Sequence, residues 1–211
     1  MSRSAALRAR RSRPAPLPRN FYDRPTEQVA RELLGAILEC RTPDGVAAGR
    51  IVETEAYDQA DPAAHTFGGP TKRNASMFGP SAHAYVYRSY GLHWCLNLVC
   101  REPGHGAGVL IRAIEPTAGL DVMARRRGLA DPRLLCAGPG RVGQALGITL
   151  AHNGLPLARA PFHVAAAEAP VQIVAGPRIG ISKAVECPWR FGLAGSKFVS
   201  RPFLGGARAE P

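Results

Sequence analysis

The chain has no run of about eighteen or more apolar residues, so nothing in it reads as a membrane-spanning helix. It also lacks a Cys-x-x-Cys pair. The five cysteines (Cys40, Cys95, Cys100, Cys136 and Cys187) are an odd number, which argues against a disulfide framework or a zinc cluster and fits a reducing compartment. Cys95 and Cys100 lie within an apolar run and read as small buried residues. Metal spacing is missing among the histidines as well: His65, His83, His93, His105, His152 and His163 are scattered, and His152 and His163 read as plain surface residues. No Gly-Lys-Ser/Thr stands at the spacing of a P-loop, and no internal repeat is present.

Acid is scarce. Sixteen Asp and Glu face 27 Lys and Arg, giving a net charge of +11 and a pI near 10.2. That balance favours an anionic partner, with nucleic acid ahead of a membrane surface. At 211 residues and 45% hydrophobic, the chain can bury a core and most simply forms one domain.

Residues 1–18 carry Arg3, Arg8, Arg10, Arg11 and Arg13 and no acid, and read as a basic, disordered tail. A folded domain is expected over residues 19–204, with a short tail over 205–211. Thr26 follows a proline and is placed to cap a helix carrying Val29, Leu33, Leu34, Ile37 and Leu38. Pro43, Asp44 and Gly45 mark a turn into a strand. Residues 58–81, rich in Gly, Pro, Asp and Ser, form a long irregular connection of the kind that often carries function. Residues 82–90 and 92–100 alternate around Tyr90 and Gly91 and predict a β-hairpin with a tyrosine at its tip. Further strands are expected over 109–114, 162–166, 171–175 and in two runs around Ala194 and Gly195, with helices over 117–127 and 139–146 and a turn at Asn153 and Gly154. The sum is α+β: a single domain with a curved, largely antiparallel sheet, flanking helices and a protruding hairpin.

The candidate chemistry centres on RIVETEAY, residues 50–57. Alternation along a strand points Glu53, Glu55 and Tyr57 to one face. A carboxylate there can act as a general base toward water or stabilise an oxocarbenium ion, and a ring beside it can hold a flat substrate. The glutamates could equally pair with the abundant arginines on a surface strand. Tyr85 and Tyr87 share a face, as sheet packing or as a binding wall. Tyr90, exposed at a turn tip of a basic protein, suits a wedge inserted into a nucleic-acid stack. Arg112 stands alone in an apolar strand and needs a partner, either Glu115 or a phosphate. The GPGR run at 138–141 reads as the start of a helix with free backbone N–H groups, a seat for phosphate.

The ordered set RIVETEAY (50–57), AAH (63–65), YVY (85–87), YG (90–91), CLN (95–97), LIRAIEP (110–116), CAGPGR (136–141), QALGI (144–148), PRIGI (177–181), PWRF (188–191) and FVS (198–200) resembles the alkylpurine (3-methyladenine) DNA glycosylases distinct from the helix-hairpin-helix type. The resemblance covers about residues 17–203. It implies an enzyme that flips a damaged purine out of double-stranded DNA and hydrolyses the N-glycosidic bond with activated water, without strand cleavage, metal or organic cofactor. It assigns Glu55 as the base and Glu53 as a flanking acid. Tyr57, His65 and Tyr87 would stack around the flipped base, and Asn97 would disfavour the guanine 2-amino group. Tyr90 would fill the vacated space. Arg112, Arg141 and the backbone of Ile179 and Gly180 would meet the DNA backbone. A monomer is expected, and the Ala-, Arg-, Gly- and Pro-rich composition suggests a bacterial, cytoplasmic, nucleoid-associated protein. His93, Gly192 and the pair Ser182 and Lys183 depart from the common pattern. Two other classes fit parts of the sequence: a metal-dependent nuclease using Glu53, Glu55, Asp58 and Asp61, and a non-catalytic nucleic-acid binder using the same basic groove.

Overall fold

A computed structural model of the chain describes residues 13–203 and 208–210. Helices α1 (Arg19–Tyr22) and α2 (Thr26–Glu32) lead into strands β1 (Ile37–Thr42) and β2 (Gly45–Tyr57). After the long connection come β3 (Ala84–Ser89), β4 (His93–Val99) and β5 (Gly108–Ala118), then α3 (Leu120–Arg127), α4 (Pro132–Leu135) and α5 (Pro139–Leu146). Strands β6 (Phe162–Ala165), β7 (Ile173–Gly176), β8 (Arg190–Leu193) and β9 (Arg208–Glu210) complete the fold. All strand pairs are antiparallel, in the order β3-β4-β5-β2-β8-β7-β9, with β1 joining β2 to β6. The α+β architecture matches the expectation from sequence.

β2 is the spine. One edge pairs with β5 from Ala48 to Tyr57, while the other takes β1 over its first half and β8 over Glu53 to Glu55. Three irregularities interrupt the β2–β5 ladder, one between Ala48 and Gly49 and two in succession near its middle. Val52 is extra on β2, because Ile51 and Glu53 face Ile114 and Ala113; Arg112 is extra on β5, because Glu53 and Thr54 face Ala113 and Ile111. Bulges bend a strand and re-aim side chains, and these two cancel, so the register beyond them is intact. Thr54 turns toward the helices, its hydroxyl donating to the Ala30 carbonyl at 2.8 Å, while Glu53 and Glu55 turn to the opposite, concave face.

The core lies between the convex face of the sheet and helices α2, α3 and α5. Leu33, Leu38, Ile51, Leu96, Leu98, Ile111, Ile114, Val142 and Leu146 meet there, all fully buried. Each such side chain contributes about 1.5–3 kcal/mol relative to exposure. Helix α5 comes so close to β4 that a Cβ on Gly143 would stand 2.0 Å from the Trp94 carbonyl, which leaves room for glycine alone. This packing sets the start of α5 beside the hairpin.

Several boundaries differ from those read in the sequence. Helix α2 stops after Glu32: Leu33 is its cap, Gly35 takes φ +85°, and Ile37 and Leu38 belong to β1. The Thr26 hydroxyl makes no cap and reaches Asp58 instead. Residues 117 and 118 extend β5 rather than starting α3. Only one run near Gly195 is a strand; residues 197–200 turn inward to another use. His163 is buried rather than on the surface, since β6 is covered by residues 13–17, where Leu17 N–H donates to Val164 and Pro16 bridges Ala165. Residues 13–18 of the expected tail are therefore packed on the sheet, and residues 208–210 of the other tail pair with β7. Residues 1–12, 204–207 and 211 lie outside the described residues.

Candidate active site

A cavity of about 490 Å³ opens on the concave face, lined by Tyr57, His65, Tyr85, Tyr87, Asn97 and Arg112 among others. That volume suits a small flat ligand. Tyr85 and Tyr87 alternate onto this face from β3 and stack with centroids 5.7 Å apart at 22°. His65, from the long connection, meets Tyr87 edge-on at 4.6 Å. Its backbone is held because the Asn74 amide donates to the His65 carbonyl at 2.8 Å. Burial and the nearby Arg73 lower the His65 pKa, so the ring is neutral near pH 7. Burial pushes the Tyr85 phenol up to about 12, and Tyr57 and Tyr87 rise further, so all three rings stay protonated. Asn97 lies opposite Tyr85 in the hairpin register and donates to its carbonyl at 3.3 Å, presenting the rest of its amide to the cavity.

Glu53 and Glu55 are both fully buried, yet their surroundings differ. Glu53 accepts four bonds: on Oε1 from Arg112 at 3.2 Å, Arg190 at 2.7 Å and the Ser200 hydroxyl at 2.9 Å, and on Oε2 from the Ser200 backbone N–H. Residues 197–200, expected as a strand, serve here to carry Ser200 to that carboxylate. Glu55 accepts on one oxygen from Tyr57 O–H at 2.8 Å and Arg112 at 3.1 Å. Its other oxygen, Oε1, takes a single bond, from Ile179 N–H at 2.7 Å, which leaves a lone pair uncommitted. Burial pushes the Glu55 carboxyl above the usual range, against the pull of Arg112, the Ile179 N–H and Tyr57. Burial also disfavours the charge on Arg112, but Glu55 and Glu53 outweigh it and keep the guanidinium ionised. Glu55 lies just behind a cavity wall made by Tyr57, Arg112 and Ile179.

Arg112 thus pairs with Glu53 and Glu55. Glu115, the partner considered from sequence, is bound to Arg50 instead, because the bulge turns Arg112 toward the concave face. The four carboxylates a metal-assisted nuclease would need are divided among separate partners: Glu53 and Glu55 on Arg112, Asp58 on the His105 ring at 3.0 Å, Asp61 on Arg178. Among the described residues no group of three or more His, Cys, Asp and Glu side chains could hold a metal ion.

At the hairpin tip Tyr90 is 90% exposed. Its φ of +49° and that of +67° at Gly91 give the turn two left-handed central residues, closed by Leu92 N–H to the Ser89 carbonyl. A tyrosine is an uncommon occupant of that backbone region, and an outlier of this kind is a reason to look for function. Leu92 beside it is also exposed. A second opening of about 430 Å³ runs from Tyr90 past Gly138, Pro139, Arg127, Arg141 and Arg201, so Arg141 borders the groove leading to the cavity and not the cavity itself. Ile179 lines both openings, and Gly180 beside it lines the cavity.

Sequence reading missed the roles of Arg178, Arg190 and Ser200, and considered Asp61 only as a metal ligand where it is the partner of Arg178. The three were hidden because each acts on a glutamate or its backbone neighbour from a distant part of the chain. Phe203 was missed too. Its ring lies where a Cβ on Gly192 would come within 2.3 Å and stacks on Arg190 at 3.9 Å, so it fills the space left by the glycine.

The methylpurine-DNA glycosylase (MPG) family model matches residues 20–197. Three similar bacterial proteins bear the name "Putative 3-methyladenine DNA glycosylase". The protein of Nitrosospira multiformis is 65% identical over 83% of this chain and 89% of its own length. One from Rhodopseudomonas palustris is 60% identical over 89% and 92%, and one from Rhizobium meliloti is 57% identical over 87% and 96%. With a cavity walled by Tyr, His and Asn, a buried glutamate behind it and a match over residues 20–197, the chain belongs to the methylpurine-DNA glycosylase family, DNA repair hydrolases that remove alkylated purines.

Proposed function

We propose that the protein captures a damaged purine nucleotide in duplex DNA, swings it into the cavity lined by Tyr57, His65 and Tyr87, and cleaves its N-glycosidic bond with a water activated by Glu55. The reading is supported above all by one juxtaposition: an ionisable carboxylate with an uncommitted lone pair sits behind an aromatic cavity that opens beneath an exposed tyrosine. Alkylation at N3 or N7 puts positive charge on the purine, which makes it a good leaving group and draws it to the faces of aromatic rings. As the C1′–N bond breaks, the bonding electrons leave with the base and positive charge grows on the sugar. A water held by Glu55 Oε1 gives its oxygen to C1′ and its proton to the carboxylate. The products are a free purine and an abasic sugar. Among the described residues no lysine lines the cavity, which supports water rather than an amine as the nucleophile and excision without strand cleavage.

Asn97 directs an amide hydrogen toward the purine edge and opposes the 2-amino donor of guanine. Tyr90 fills the gap left in the stack; stacking on an aromatic ring contributes about 1–3 kcal/mol. Arg112, Arg141 and Ile179 border the second opening and Gly180 the cavity beside it, along the path of the lesion strand. Lys72, Arg73, Arg88, Arg127, Arg141 and Arg201 form no ion pair with a carboxylate among the described residues, and all border openings around Tyr90, ready for phosphates. The protein would act as a monomer, in the bacterial cytoplasm at the nucleoid.

The test is incubation with duplexes each carrying 3-methyladenine, 7-methylguanine, hypoxanthine or ethenoadenine, with released base measured before and after alkali. Release of free alkylpurine with strands intact until alkali is expected. Absence of release from every duplex would sink the reading.

A further inference from the structure

The hairpin of β3 and β4 has two faces, and the cavity uses one of them. Tyr85, Tyr87 and Ser89 with Cys95 and Asn97 face the cavity. Strand alternation sends Val86, Arg88 and Trp94 to the other side, and there they line a further groove of about 600 Å³ with Lys72 and Leu150, meeting the cavity at Arg73, Tyr87 and Tyr90, which line both. Tyr90 stands on the ridge between this groove and the two openings already described.

The outer groove has the chemistry of a nucleic-acid surface. Lys72, Arg73 and Arg88 make no ion pair there among the described residues. The Arg88 guanidinium lies over the Trp94 ring at 5.6 Å, and Arg73 donates to the Arg88 carbonyl at 3.4 Å, so the charges are held at the groove wall. Leu150, 57% exposed, adds an apolar floor. A wedge that parts a duplex must leave a course for two strands. Arg127, Arg141 and Arg201 line one on the cavity side; the outer groove is the other.

We propose that this groove holds the complementary strand, with phosphates on Lys72 and Arg88 and the widowed base against Trp94 and Leu150. The assignment rests on Tyr90 acting as a wedge, as read above. It makes the hairpin a divider with a cationic wall for each strand.

Binding of wild type and the Lys72→Gln/Arg88→Gln double variant to a duplex with a central tetrahydrofuran site, which cannot be hydrolysed, tests it. Each phosphate contact contributes about 0.9 to the slope of log K against log salt, so the variant should show a slope shallower by about 1–2 at unchanged melting temperature. With methylphosphonates in the complementary strand opposite the site, wild type and variant should have the same slope. With methylphosphonates in the lesion strand, the difference should persist. Equal slopes on the native duplex would overturn the proposal. So would a difference abolished only by neutralising the lesion strand, which would mean that both grooves serve that strand. Wild type that excises no alkylpurine would instead refute the underlying glycosylase reading, whatever the slopes.

Discussion

Arg178 and Asp61 form an ion pair with side chains 0% and 1% exposed, and that pair holds the backbone that supports Glu55. Arg178 also donates to the Ala56 carbonyl at 3.0 Å and lies over the Tyr57 ring at 4.8 Å and the Trp189 ring at 5.4 Å. The next residue, Ile179, gives its N–H to Glu55. Removing one partner of a buried pair costs about 3–5 kcal/mol because the other charge is stranded. Asp61→Asn is therefore expected to lower the denaturation midpoint accordingly and to slow single-turnover excision. A variant as stable as wild type would show that Arg178 finds another partner.

Glu55→Gln keeps the size and burial of the side chain but cannot take a proton from water. General-base catalysis typically contributes about 10²–10⁴-fold, so excision should fall by at least that factor while binding to lesion duplex is retained. Glu53→Gln should instead destabilise the protein, since Arg112, Arg190 and Ser200 all converge on it. Wild-type turnover in the Glu55 variant would remove Glu55 from the mechanism.

The pH profile follows from the sign of the Glu55 shift. Its carboxyl lies above the ordinary range of about 4.3 because of burial, and the working form is ionised. Excision should then rise with pH through a half-point displaced upward from that range and level off above it. A half-point at or below an ordinary glutamate value would contradict the assignment; single-turnover rates across pH read it directly.

Tyr90→Ala should weaken lesion capture by about 1–3 kcal/mol, the value of one stacking contact. Its melting temperature should not fall, because the ring is almost fully exposed. Unchanged affinity and turnover would argue against a wedge.

Gly192→Tyr should displace Phe203, since even a Cβ there meets the ring, and with it the segment that brings Ser200 to Glu53. Lower thermal stability is expected, with recovery when Phe203→Ala is added. If the double variant is no better than the single, the two positions do not share one space.

How much of this was legible depended on range. β2 and the hairpin are readable because alternation over 50–57 and around Tyr90 and Gly91 is a local signal. The start of α5 at Pro139 is readable for the same reason. Which glutamate is tied to which partners is not local at all. It turns on Ser200 and Arg190 reaching Glu53 and on Ile179 reaching Glu55 from more than a hundred residues away. The end of α2 was misread because Leu33, Leu34, Ile37 and Leu38 keep a helical spacing across Gly35, where the backbone has already turned into β1.

The paired bulges at Val52 and Arg112 make the site tolerant in one respect and brittle in another. Side chains of these strands that meet neither the carboxylates nor the cavity can be exchanged one at a time. Chain length cannot: loss of a single residue at either bulge would leave one strand a step out, turning Thr54 toward the cavity and Glu55 toward the helices. Loss of both would restore the pairing but discard the arginine. Lineages of this protein should therefore accumulate insertions and deletions in the connection after Tyr57 and almost none between Arg50 and Tyr57.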